Sequence, residues 1–197
     1  MDKIEKFLAY NGKINIVAVE TTQLVDEARK THDLSPLATA TLGRCLSIAA
    51  LMASNMKSEE DKLTLQIKGN GPIGTITVTA DNKGRVRGYV LNPQVDLPLK
   101  ENGKLDVGSA VGSDGFIYVI KDIGLKEPYI GMSKIITGEI AEDFANYYYI
   151  SEQKNTAPKG GSIFAFFVHF DYKHYGLTSS NQNSTPASVL TTPHLPP

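Results

Sequence analysis

Hydrophobic and polar positions follow two different periods along this chain, and the switch between them outlines the fold. Over Lys62-Leu63-Thr64-Leu65-Gln66-Ile67-Lys68 they alternate strictly, as in a strand with one face buried. The same alternation returns from Gly74 to Ala80 and again over Arg85 to Leu91. Gly69-Asn70-Gly71-Pro72 and Asp81-Asn82-Lys83-Gly84 turn the chain between these runs. The three runs predict an antiparallel meander.

Helical spacing governs the stretch before it. Ser35-Pro36 reads as a cap followed by proline at the first helical position, where its missing N–H costs nothing. The helix that follows extends to about Asn55. Arg44 is its one charged residue, so the helix is expected to be buried on most sides and to form the centre of the core. The charge near mid-helix, with Thr39, Thr41, Gly43, Ser47 and Ser54, argues against a membrane span.

The remaining elements are read in the same way. Ile4, Phe7 and Leu8 fall on one face of a short helix over residues 2–10, which Asn11-Gly12 stops. Ile14 to Val19 is a strand rich in β-branched residues. Thr22 is placed to cap a helix through Thr31, with Leu24, Val25 and Ala28 inward. Asn92 to Gly115 reads as an irregular connection with an apolar contact at Leu105 and Val107. Phe116 to Ile120 is a strand, and Tyr129 to Met132 pairs back onto it. A helix spans Glu139 to Glu152, with Ile140, Phe144 and Tyr148 on one face. The fold class expected is α+β: an antiparallel meander packed on a long buried helix, with flanking helices.

Composition changes after Ala157. Residues 158–197 hold five of the ten prolines and three of the four histidines, and the last twenty residues carry no charge. The chain therefore divides into a core domain, residues 1–157, and a divergent tail, residues 158–197. The tail is expected to be largely disordered, apart from one strand over Phe164 to Phe170.

Charge excludes several partners. The net charge is −1, with basic and acidic residues interleaved, so neither nucleic acid nor an anionic membrane is attracted over long range. The N-terminus lacks an apolar signal core, which leads to a cytoplasmic expectation. A single cysteine, Cys45, rules out a disulfide framework or a four-cysteine zinc site within these 197 residues.

Candidate chemistry is sparse. Gly69-Asn70-Gly71-Pro72-Ile73-Gly74 spells a three-glycine nucleotide pattern, but that pattern needs a helix after it, and here a strand follows. Cys45 lies inside an apolar helix, away from the cationic, exposed setting of a reactive thiol. His32, His169, His174 and His194 show no metal-ligand spacing. Glu142-Asp143 are adjacent helix positions that do not face each other. Two of the three tyrosines Tyr147-Tyr148-Tyr149 are expected to belong to core or interface. No catalytic, cofactor-binding or metal-binding residue is assigned, and no enzyme activity is expected.

A set of ordered motifs adds what periodicity lacks. They begin with Thr31-His32-Asp33-Leu34-Ser35-Pro36, Leu42-Gly43-Arg44 and Gly69-Asn70-Gly71-Pro72-Ile73-Gly74. Gly84-Arg85-Val86-Arg87-Gly88-Tyr89-Val90-Leu91-Asn92-Pro93 and Val111-Gly112 follow. Lys121-Asp122-Ile123-Gly124-Leu125-Lys126-Glu127-Pro128-Tyr129, Gly138-Glu139-Ile140-Ala141-Glu142-Asp143-Phe144 and Ser151-Glu152-Gln153 complete the series. Together they resemble the 33 kDa chaperonin (heat shock protein 33) family over residues 1–157.

The resemblance implies a cytoplasmic stress-response holdase that binds unfolded or partly folded clients without ATP and forms a homodimer. It also implies, in the full-length family, a C-terminal zinc domain whose cysteines switch activity on when oxidised. The 197 residues depart from that pattern. Asn15 stands where the family often carries arginine, the sequence after Ala157 reads as replaced, and the cysteine/zinc switch is missing. No cofactor is expected in this chain. The alternative is an inactive truncated fragment that dimerises without binding clients.

Overall fold

The computed structural model describes residues 1–9, 14–152, 163–169 and 188–190. Its centre is helix α2, Pro36–Ala53, of which only Pro36 and Arg44 are not buried. The Ser35 side chain accepts from the Ala38 N–H at 3.1 Å and caps the helix. Polar side chains inside α2 are satisfied locally: Thr41 donates to the Leu37 carbonyl at 2.8 Å and Ser47 to the Gly43 carbonyl at 2.9 Å. By length and composition α2 could cross a membrane, but 89% of it is buried inside the protein.

One face of a five-stranded antiparallel sheet covers this helix. Its strands are β3 (Lys62–Gly69), β4 (Ile76–Asp81), β5 (Val86–Val90), β6 (Gly115–Asp122) and β7 (Tyr129–Lys134), in the order β5-β4-β3-β6-β7. The period-two pattern is realised directly. Leu63, Leu65 and Ile67 of β3 and Ile76, Val78 and Ala80 of β4 are buried, with polar neighbours between them. The expected meander is therefore the β3–β4–β5 half of the sheet.

A second sheet has the order β1-β2-β8-β9, from β1 (Lys3–Ala9), β2 (Ile14–Glu20), β8 (Ile163–His169) and β9 (Ser188–Leu190). The N-terminal segment is thus a strand, not the expected helix. It pairs antiparallel with β2, Lys3 opposite Glu20 and Ala9 opposite Ile14. Seven residues are too few for helical spacing to outweigh an available ladder. β2 pairs parallel with β8, so the strand expected at 164–170 is present one residue earlier. The Asn11-Gly12 stop, and most of the disorder expected over 178–197, fall outside the described residues; β9 is the described part of that end.

Helix α1, Thr22–His32, follows β2. Thr22 is its first residue rather than its cap, and Thr21 at the cap makes no side-chain capping bond. Asp2 supplies it instead: its two carboxylate oxygens accept from the Gln23 and Leu24 N–H groups at 2.8 and 2.7 Å. The connection before β6 is not wholly irregular, since Val107–Val111 forms a short helix, α3. The last expected helix is divided into α4, Ile140–Tyr147, and one π-helical turn, Tyr148–Glu152. Ile140, Asp143, Phe144 and Tyr147 are the buried positions, with Tyr148 half-buried beside them.

Candidate functional site

Two regions could carry function: a polar cleft and the outer face of the five-stranded sheet. The cleft, about 950 Å³, lies between the Asn70-Gly71-Pro72 turn, the loop around Lys100 to Asp106, and the start of α4. Glu139 is its hub. Its carboxylate accepts from Arg44 at 2.8 Å and Lys100 at 2.7 Å, while Lys100 also lies 3.5 Å from Asp106. Burial pushes the Glu139 carboxyl up, but the Lys100 hydrogen bond and the Arg44 charge outweigh it, and the net shift is down. The Glu139 hydrogen bond holds Lys100 charged above the usual lysine value. The Ser109 N–H, followed by its hydroxyl and Lys100, lowers Asp106. The charges of Arg44, Lys100, Asp106 and Glu139 answer one another, which describes a structural clamp joining α2, the long connection and α4.

The three-glycine turn forms one wall, and its amides are already engaged. Gly71 N–H donates to the Val111 carbonyl at 2.9 Å and Ile73 N–H to the Ala110 carbonyl at 3.1 Å. A phosphate would need such donors free. Strand β4 follows the turn, as the sequence indicates, so the nucleotide context is missing. The glycines serve close packing: a Cβ on Gly71 would lie 2.3 Å from the Ala110 oxygen, and one on Gly69 2.1 Å from the Val111 oxygen.

The other candidates are also dispersed. Cys45 is fully buried, and burial pushes its thiol up to about 12 against the opposing Arg44 charge. Asp143 is buried and accepts from the N–H groups of Ile136, Thr137 and Gly138 at 2.9–3.0 Å, so it holds a turn together; Glu142 beside it is exposed. Tyr147 is buried, its ring meeting Phe144 and Tyr148 edge-on at 6.2 and 5.9 Å. His32 sits exposed in the last turn of α1; His169 ends β8, and His174 and His194 lie outside the described residues. Among the described residues, no three His, Cys, Asp or Glu side chains gather as a metal would require.

The sheet's outer face is different, and sequence reasoning missed it. Paired residues of neighbouring strands share a face, so the register assembles the rows. One row runs Tyr89–Thr77–Gln66–Tyr118–Met132, and the next Arg87–Thr79–Thr64–Ile120–Ile130. A third holds Lys68, Phe116 and Lys134. Ile130 is 59% exposed, Met132 52% and Phe116 39%, with half-buried Tyr118 and Ile120 among them. This contiguous apolar patch at β6 and β7 faces away from the core. An exposed patch of this kind marks an interaction surface.

Comparison with known proteins connects this fold to a group. The family model described as Hsp33 protein matches residues 2–162. The 33 kDa chaperonin of Thermoanaerobacter sp. (strain X514) is 54% identical over 156 residues, covering 79% of this chain and 53% of that protein. That of Clostridium beijerinckii is 53% identical over 162 residues, covering 82% and 55%. The crystal structure of the 33 kDa chaperonin (heat shock protein 33 homolog) from Thermotoga maritima superposes with a TM-score of 0.72 at 43% identity, over 76% of this chain and 51% of that one. The chain spans about half the length of the curated relatives it matches.

Proposed function

Because the chain belongs to the Hsp33 protein family, we propose that it is a molecular chaperone that captures unfolding polypeptides on the outer face of its five-stranded sheet. One observation carries this reading: the apolar side chains of Phe116, Tyr118, Ile120, Ile130 and Met132 lie together and outward on β6 and β7. Covering that surface with apolar client segments removes it from water, at roughly 25 cal/mol per Å². Such capture draws on hydrophobic area and needs no ATP. The family relationship supports the chaperone class, a cytoplasmic location and a homodimer.

The described residues supply neither a nucleotide cradle nor a reactive thiol, and the 197 residues hold one cysteine. Client binding by these 197 residues is therefore not switched on by cysteine oxidation. The test is light scattering of a heat-unfolding client protein in reducing buffer without ATP. Suppressed scattering, equal with and without peroxide, is expected. The exposed-face variant Ile130→Ser/Met132→Ser should protect less while melting at the same temperature. Undiminished aggregation beside a folded, monodisperse sample would overturn the proposal in favour of a fragment that only associates with itself. Peroxide-dependent protection would overturn its redox part.

A further inference from the structure

The apolar patch is not surrounded by neutral residues. Lys68 and Lys134 stand on either side of Phe116 in the same row, and Lys68 Nζ lies 5.2 Å from the Tyr118 ring centre. Arg87 occupies the next row but one, beside Thr79, and Lys62 lies further along β3. All four cations are exposed. None forms an ion pair among the described residues. Two carboxylates share the face, Asp81 and Asp122, both at its far end. Asp81 is engaged by Arg85 at 2.7 Å. The face is thus an apolar centre with a cationic margin on a chain whose overall charge is −1.

We propose that this face selects extended client segments in which apolar residues are interleaved with carboxylates. The inference rests on the reading of the sheet face as the client surface and adds its chemical preference. The geometry suits an extended chain. Strands lie about 4.8 Å apart, so the two lysines flanking Phe116 are separated by roughly 10 Å at the backbone, within side-chain reach of residues i and i+4 of an extended peptide, which lie about 13 Å apart on one face with residue i+2 between them. An apolar side chain over Phe116 and Tyr118 would therefore have acidic neighbours within reach of Lys68 and Lys134. A client bearing lysines there would meet like charge on both sides, so rejection sharpens the choice as much as attraction does.

Two synthetic peptides test this with the intact protein. Both are about ten residues long, an extended length of roughly 33 Å. They share the same apolar residues and carry glutamate in one and lysine in the other at the positions two before and two after a central apolar residue, so that all three side chains face the sheet. Fluorescence anisotropy should show the glutamate peptide binding about 3- to 30-fold more tightly at low salt, from two exposed charge contacts. The difference should shrink at high salt. Lys68→Glu/Lys134→Glu should invert the preference, and the neutral Lys68→Gln/Lys134→Gln should abolish it. Equal binding of both peptides, without salt dependence, would overturn the preference and leave the client-face reading intact. Binding of neither, by a protein that still folds, would overturn both.

Discussion

Replacing Gly71 by alanine separates the packing role of the three-glycine turn from a ligand-binding one. Gly71 has a backbone conformation that alanine can adopt, so the substitution introduces a methyl group without dihedral strain. That methyl would lie 2.3 Å from the Ala110 oxygen and 2.5 Å from the Val111 carbonyl carbon. Relief to 3.0 Å needs the turn and α3 to separate by about 0.7 Å, against backbone rather than a flexible side chain. The 2.9 Å Gly71–Val111 bond would then stretch to about 3.6 Å, beyond hydrogen-bonding range. The Ile73–Ala110 bond shares the displaced segment. Two weakened backbone bonds with poorly solvated partners cost about 2–4 kcal/mol, less a few tenths regained from the stiffer unfolded chain. Urea unfolding followed by circular dichroism should show a midpoint lowered by about 1–2 M at unchanged slope. Gly84→Ala is the comparison: φ is +77° there and nothing lies within 4 Å of the added Cβ, so only left-handed strain of about 1–2 kcal/mol applies. A Gly71→Ala midpoint equal to the wild type, or less shifted than that of Gly84→Ala, would refute the packing account.

Asp143→Asn should destabilise the protein by about 2–4 kcal/mol in the same denaturation assay, because one amide oxygen cannot replace a carboxylate that accepts from three successive N–H groups; a loss under about 0.5 kcal/mol would contradict that role. Cys45, with its thiol pushed up to about 12, should resist thiol reagents at pH 8 in the native state and react only on unfolding. Rapid stoichiometric labelling of folded protein would disprove its burial. Glu139 titrates below the ordinary glutamate value in the folded state, so its contribution is present above about pH 4.5 and is lost as pH falls through the lower folded value. Lys100 titrates above its ordinary value, so its share holds below about pH 10.5 and fades at higher pH. Melting temperature followed between pH 3 and 6 should therefore fall less steeply for Glu139→Gln than for the wild type; parallel curves would exclude the clamp as a pH-sensitive element.

Much of the fold was legible because burial on one face leaves a period. Leu63, Leu65 and Ile67 declare their strand by alternation, and α2 declares its burial by carrying one charge in eighteen residues. β1 was not legible: Ile4, Phe7 and Leu8 have helical spacing, while the ladder to β2 and the Asp2 anchor on α1 decide the conformation, and neither is local. The candidate site was hidden for a related reason. Phe116-Ile117-Tyr118-Val119-Ile120 is apolar at every position, which reads as a strand buried on both sides. Register resolves it: Ile117 and Val119 face the core, and Phe116, Tyr118 and Ile120 face outward beside Met132 and Ile130. Tyr129 to Met132 does alternate, but the pattern alone cannot say that its outward apolar residues join those of a neighbouring strand.

Helix α2 has a further consequence during synthesis. Its covering strands β3, β4 and β5 follow it in the chain and end at Val90. At a translation rate of about 5–20 residues per second, the interval from Ala53 to Val90 lasts roughly 2–7 seconds. Throughout it, a segment apolar enough to cross a membrane has emerged with only β2 and α1 to pack against and its covering sheet still missing. For those seconds the nascent chain presents to targeting factors and to chaperones the kind of greasy segment that its own folded sheet face is proposed to receive.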